Sequence, residues 1–178
     1  PRGPRLDAPA ALHHVLARGI ERRPIFLDDH DRFAFLCRLG PLLLATRTSV
    51  YAWAIVGNHV HLLLRTGDAA LSDVMRCLLT GYAVNFNRRH RRAGHLFQNR
   101  FKSILVEEEP YFLELIRYIH LNPIRAGLVL DLDELDRYPW SGHAALLGMA
   151  IHAWQDTDAV LEQFGAQPNL ARQSYLQF

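Results

Sequence analysis

Cysteine is scarce in this chain, lysine is scarcer, and acidic residues vanish from one whole stretch. Cys37 and Cys77 stand alone and form no Cys-x-x-Cys pair, so neither a disulfide framework nor a cysteine zinc site is expected. Both read as small buried hydrophobes within helix-like patterns. No apolar run is long enough to cross a bilayer, which sets aside a membrane-spanning helix. The opening stretch PRGPRLDAPA lacks the apolar centre of a signal peptide; it reads as a flexible lead-in over residues 1–10, and a cytoplasmic location is the expectation. Repeats and low-complexity tracts are also missing, and 178 residues suit one domain with appendages.

Lys102 is the only lysine among 20 basic side chains. The net charge is only +2, yet Arg88, Arg89, Arg91, Arg92, Arg100 and Lys102 fall between Gly81 and Ser103 with no Asp or Glu among them. That concentration points toward a polyanion. The plainer alternative is a solvated helix end whose arginines suit the negative end of the helix dipole.

Periodicity sets the order of elements. LHHVLAR, residues 12–18, alternates as a strand and is followed by a loop. From Asp28 to about Ala45, Phe33, Leu36, Leu39 and Leu43 recur at helical spacing, with Asp28 or Asp29 as cap. SVYAWAIV and HVHLLLR flank Gly57-Asn58, which suits a hairpin turn with positive φ. Leu71, Met75, Leu78, Leu79, Tyr82 and Phe86 share one face of a long helix that ends at Gly94 with the arginines at its far end. HLFQNRFKSILV reads as a fourth strand on which Arg100 and Lys102 share a face. A helix from EEEP runs to Asn122-Pro123, and a tail of short helices follows. The predicted fold class is α+β: a ferredoxin-like βαββαβ antiparallel sheet with two helices on one face, and its other face free for an additional helix or a ligand.

Two imidazoles lie one residue apart in GNHVHLLLR. Alternate side chains of a strand share a face, so His59 and His61 project together and make half a metal site. Taken alone, His-x-His is a weak signal. In RYIHLNP, Tyr118 and Asn122 share a helical face while His120 points elsewhere. Each also has an ordinary reading, since tyrosines fill cores and asparagine before proline often ends a helix.

GNHVHLLLR, NRRHRRAGHLFQNRFKSILV, YIHLNPIRAGLV and YPWS, in this order and spacing, closely resemble the REP-associated tyrosine transposases, relatives of the IS200-like HUH single-tyrosine enzymes. The resemblance spans roughly His13 to Gly148 and implies a catalytic domain over residues 11–130 with a helical extension over 131–178. Carried over by position, His59 and His61 match the metal-binding pair, Asn122 the polar position completing that site, and Tyr118 the nucleophile. Val56-Gly57 departs from the Met-Pro often found before Asn-His in relatives, and this should alter the hairpin rather than the ligands. The implied activity is a Mg²⁺- or Mn²⁺-dependent single-stranded DNA endonuclease and strand transferase acting at hairpin-forming repeats through a 5′-phosphotyrosine. The six basic residues would bind DNA, with Arg100 and Lys102 neutralising phosphates near the site. Tyr111, two turns before Tyr118, is the alternative nucleophile. The competing readings are a catalytically inactive, domesticated DNA-binding protein and a zinc hydrolase using His95 or His120 as third ligand. Monomer and homodimer both stay open.

Overall fold

Period-two alternation decides which side of the sheet each strand residue serves. A computed structural model of the chain describes residues 10–106 and 108–178, without the side chains of 108–110. Strands β1 (Leu12–Arg18), β2 (Ser49–Val56), β3 (His59–Arg65) and β4 (Lys102–Leu105) form one antiparallel sheet in the order β2-β3-β1-β4. Helix α1 (Asp29–Ala45) joins β1 to β2, and α2 (Leu71–Arg89) joins β3 to β4, which is the ferredoxin-like arrangement predicted. Val15, Ala17, Val60, Leu62 and Leu64 turn to the side of α1 and α2, where they pack with Phe35, Leu39, Met75, Leu78 and Tyr82.

The opposite face carries the additional helix, as predicted, and the helical tail as well. Leu12, Ala52, Ala54 and Leu63 meet Ile116 and Ile119 of α3 (Glu108–His120), together with Leu146, Val160, Ala171 and Tyr175 of the tail. Being covered on both faces explains why β2 is apolar along nearly its whole length and buried from Val50 to Val56. Pro123 has no N–H to continue the helical ladder, so α3 stops at His120 and a short α4 (Asn122–Arg125) follows. The tail adds α5 (Leu132–Asp136), α6 (His143–Leu146), α7 (Thr157–Leu161) and α8 (Pro168–Gln177). Asp28, Asp131 and Asp156 cap α1, α5 and α7 by accepting from Asp31, Glu134 and Ala159 amides. Among the described residues no helix is long and apolar enough to cross a membrane.

Several local expectations give way to long-range contacts. The fourth strand begins at Lys102; before it, Leu96 and Phe101 are the buried residues, a spacing that fits no regular strand. That segment is instead fastened by Ile20 and Gln98 amides donating to the Leu96 and Arg18 carbonyls, both at 2.9 Å. Neither Gly57 nor Asn58 has positive φ. Their turn is clamped from outside, since the Gly57 carbonyl accepts from Ile25 and Phe26 and the Asn58 carbonyl from Gly19. A Cβ on Gly19 would fall 2.1 Å from the Arg23 carbonyl, so this clamp needs glycine. Cys37 and Cys77 are exposed rather than buried: each lies two residues, over half a turn, from a core position, Phe35 or Leu39 and Met75. Helix α2 ends at Arg89, capped at His90, before Gly94 is reached.

The buried stripe of α1 runs through Phe35, Leu39 and Leu43, and Phe33 is 62% exposed while Phe35 is fully buried. Phe35→Ala should therefore cost about 3–5 kcal/mol in urea denaturation, and Phe33→Ala no more than about 0.5 kcal/mol. Equal losses would overturn this assignment of the helix face.

Candidate active site

Because Val60 and Leu62 are drawn to the α1/α2 core, the intervening His59 and His61 must face α3. Their ring centroids are 4.9 Å apart. Burial depresses both imidazoles, His59 to about 4 with help from Arg18, and His61 to about 3 with help from His59, His14 and Arg18. Both are neutral at neutral pH, so each offers a nitrogen lone pair. The Asn58 Oδ1 lies 2.6 Å from His59 Nδ1 and accepts its proton, which leaves His59 Nε2 as the ligand atom.

Helix α3 brings Tyr118 edge-on to His61, with ring centroids at 5.8 Å and an interplanar angle of 84°. One turn later the Asn122 side-chain amide donates to the Tyr118 carbonyl at 2.8 Å, satisfying an orphan acceptor at the helix end and leaving Oδ1 available. Tyr111 makes no ring contact with the histidines among the described residues and is 60% exposed. The geometry thus puts Tyr118, not Tyr111, beside the imidazole pair.

Two residues at this site escape reading by sequence. His14 Nε2 lies 2.9 Å from His61 Nδ1, with the two ring planes 19° apart and their centroids separated by 5.2 Å. Burial, then the nearby Lys102 charge, lowers its pKa. The period-two pattern of β1 could have placed His14 on one face, but only the β1–β3 register brings it to His61. The Arg125 guanidinium lies 4.9 Å over the Tyr118 ring; its seven-residue spacing from Tyr118 was the available signal.

The six basic residues separate. Leu16 pairs with both His61 and Lys102, so Lys102 shares the histidine face in the same cross-strand row. Arg100 lies outside β4 and helps line a groove of about 820 Å³ with Arg76, Asn87, His95 and Phe97. Arg88 and Arg91 are exposed, and Arg92 lies over the Phe86 ring at 5.8 Å. Arg89 is held by Asp28 and Asp31, each at 2.6 Å, and this pairing keeps the Asp28 carboxylate down at about 2. The carboxylates absent from the basic stretch are thus supplied by the start of α1.

His120, the residue between Tyr118 and Asn122, faces the other way into a buried network. His143 Nε2 donates to Asp136 Oδ1 at 2.9 Å, so its Nδ1 accepts from the Tyr175 hydroxyl at 2.7 Å. That hydroxyl oxygen in turn accepts from His120 Nδ1 at 2.9 Å. His120 Nε2 is buried without a partner; in this tautomer it is a lone pair rather than an N–H, the less costly orphan. The network ties α3 to α5, α6 and α8.

Among the described residues no group of three or more His, Cys, Asp and Glu is placed to hold a metal. His95 lines the groove beside α2 and His120 is bonded to Tyr175, so neither completes a three-ligand zinc site with His59 and His61.

A family profile described as transposase IS200-like matches residues 9–122. Among solved structures, the REP-associated tyrosine transposase bound to a REP hairpin is similar with a TM-score of 0.66 and 17% identity, over 86% of this chain and 90% of that one. A Deinococcus radiodurans R1 protein assigned as a transposase is similar with a TM-score of 0.46 and 17% identity, over 66% of this chain and 95% of that one. No curated protein matches the sequence.

His14, His59, His61, His120, His143 and His152 all have pKa values lowered chiefly by burial. Below about pH 6.5 the unfolded chain takes up protons that the folded chain refuses, so stability present above that pH falls as the medium is acidified. Urea midpoints should drop steadily from pH 7 to pH 5, and a flat profile would contradict the burial of these rings.

Proposed function

From the premise that this chain belongs to the IS200-like transposase family, we propose that it is a divalent-metal-dependent single-stranded DNA endonuclease and strand transferase whose nucleophile is Tyr118. The observation that carries this reading is the placement of Tyr118 edge-on to His61 beside the neutral His59–His61 pair. The donor set suits the ion: two imidazole Nε2 atoms and the Asn122 Oδ1 are mixed nitrogen and oxygen ligands appropriate to Mn²⁺ or Mg²⁺. When bound, such an ion supplies polarisation of a phosphoryl oxygen.

The chain's own residues carry the remaining steps. The Tyr118 oxygen, freed of its proton, attacks phosphorus in line; the new O–P bond forms as the bond from phosphorus to the departing 3′ oxygen breaks. The departing 3′ oxygen takes up a proton from solvent, balancing the one Tyr118 gives up, so the products are a 5′-phosphotyrosine and a strand ending in a 3′-hydroxyl. The phosphodiester energy is retained, so a 3′-hydroxyl attacking the adduct rejoins strands without ATP. Arg125, stacked on Tyr118, and Lys102, on the histidine face, provide positive charge for the phosphate backbone at the site. Arg88, Arg91, Arg92 and Arg100 extend that contact, while Arg89 serves by pinning the end of α2 to α1. Hairpin-forming repeats are the proposed substrate, in keeping with the REP hairpin bound by the structurally similar REP-associated enzyme.

The functional division we assign is a catalytic unit over residues 11–130 and an extension over 131–178 that holds α3 in place through Tyr175. The packing of α3 on the sheet of the same chain, with Tyr118 edge-on to His61, supports a reading in which Tyr118 acts with the histidines of its own chain. Catalysis then needs no exchange of helices between copies.

Incubating the protein with labelled single-stranded hairpin DNA and Mn²⁺ or Mg²⁺ should yield a covalent adduct on a denaturing gel. The adduct should carry the label 3′ of the cut, and chelation or Tyr118→Phe should abolish it. DNA binding without an adduct across several hairpins would favour the binding-only alternative. Mixing Tyr118→Phe with His59→Ala should restore no cleavage; recovered activity would show that the tyrosine acts across a dimer.

A further inference from the structure

We propose that His14 is a positioning residue for His61: its Nε2 accepts the proton on His61 Nδ1 and thereby presents the His61 Nε2 lone pair to the cation. The inference rests on the metal-site reading above and extends it to a residue outside the His-x-His pair. Each of the two ligand imidazoles has its Nδ1 engaged, but by different means. His59 meets Asn58 Oδ1, an atom that can only accept, so its tautomer is determined locally by its sequence neighbour. His61 meets another imidazole, which can donate or accept. A cation on His61 Nε2 requires the proton on Nδ1, and His14 Nε2 is then the acceptor. A histidine ligand held through its second nitrogen in this way keeps both its tautomer and its ring plane.

The fold places His14 for this role. It pairs in register with Leu63 and so sits diagonally across from His61 on the same face, in a strand bonded on both sides to β3 and β4. Its ring lies within 19° of parallel to that of His61. It also meets Tyr118 edge-on at 6.0 Å, so one side chain touches both the ligand and the nucleophile. The neighbouring His13 has the opposite orientation, buried and bonded through Nδ1 to Ser103 Oγ at 3.0 Å, which separates the two halves of the His-His dipeptide by role.

The test measures Mn²⁺ affinity on the full chain by electron paramagnetic resonance of the free ion, apart from any cleavage assay. His14→Leu should weaken Mn²⁺ binding by about 10–100-fold. His14→Gln, whose side-chain oxygen reaches roughly the position of Nε2, should recover most of the loss, and neither change should affect hairpin binding without metal. Cleavage by His14→Leu should recover toward wild type as Mn²⁺ is raised. Long-range ¹H–¹⁵N spectra of the Mg²⁺-loaded wild type should show His61 protonated at Nδ1, a readout that needs no variant to fold. A folded His14→Leu with wild-type affinity, a His14→Gln as weak as the leucine variant, or His61 protonated at Nε2 would each overturn the proposal. His59→Ala separates the two levels: if it binds Mn²⁺ as the wild type does, the metal-site reading itself falls, and this inference with it.

Discussion

The register between β1 and β3 is the constraint on which the rest depends. Pairing Leu16 with His61 and Arg18 with His59 sets every neighbouring side chain, because the two strands alternate in phase. A slip of one residue would send Val60 and Leu62 out of the α1/α2 core and carry the histidines into it. Burial of apolar residues on both faces makes that slip costly, so the same energy that holds the sheet also aims the imidazoles. The clamp of Gly19 on Asn58 fixes the turn from which β3 departs.

The second theme is how the molecule tolerates so many imidazoles out of water. Burying a polar ring costs stability unless its nitrogens find partners and it gives up its charge. Around β3 the partners are Asn58 and a second histidine; in the tail they are Asp136 and Tyr175. The two clusters meet back to back on α3, since Tyr118 faces the sheet histidines while His120 faces the tail. The pose of the helix therefore depends on polar contacts at both sides as well as on Ile116 and Ile119.

Much of this was legible in the chain because it is governed by local rules. The Asp28 cap, the Leu71–Phe86 face of α2, the paired strands and the shared face of His59 and His61 all follow from capping chemistry and period. Tyr118 and Asn122 were reached by spacing and by motif resemblance. What stayed hidden involved partners far away in sequence. His14 meets His61 across 47 positions, and Arg89 meets Asp28 across 61. The irregular start before β4 failed for a related reason, as Leu96 and Phe101 answer to tertiary contacts rather than to a strand's alternation. The cysteines were misplaced because composition gives a residue type's average burial, whereas the helix face decides the individual case.

The choice of basic residue has its own chemical consequence. Guanidinium groups stay protonated across any working pH and are poor nucleophiles, so 19 of the 20 basic side chains are silent toward amine-directed reagents. The remaining one, Lys102, is exposed on β4 in the same cross-strand row as His61. An acylating reagent thus finds a single ε-amine, and its address is the rim of the candidate site. The protein carries a built-in handle from which a spectroscopic reporter could watch that face become occupied.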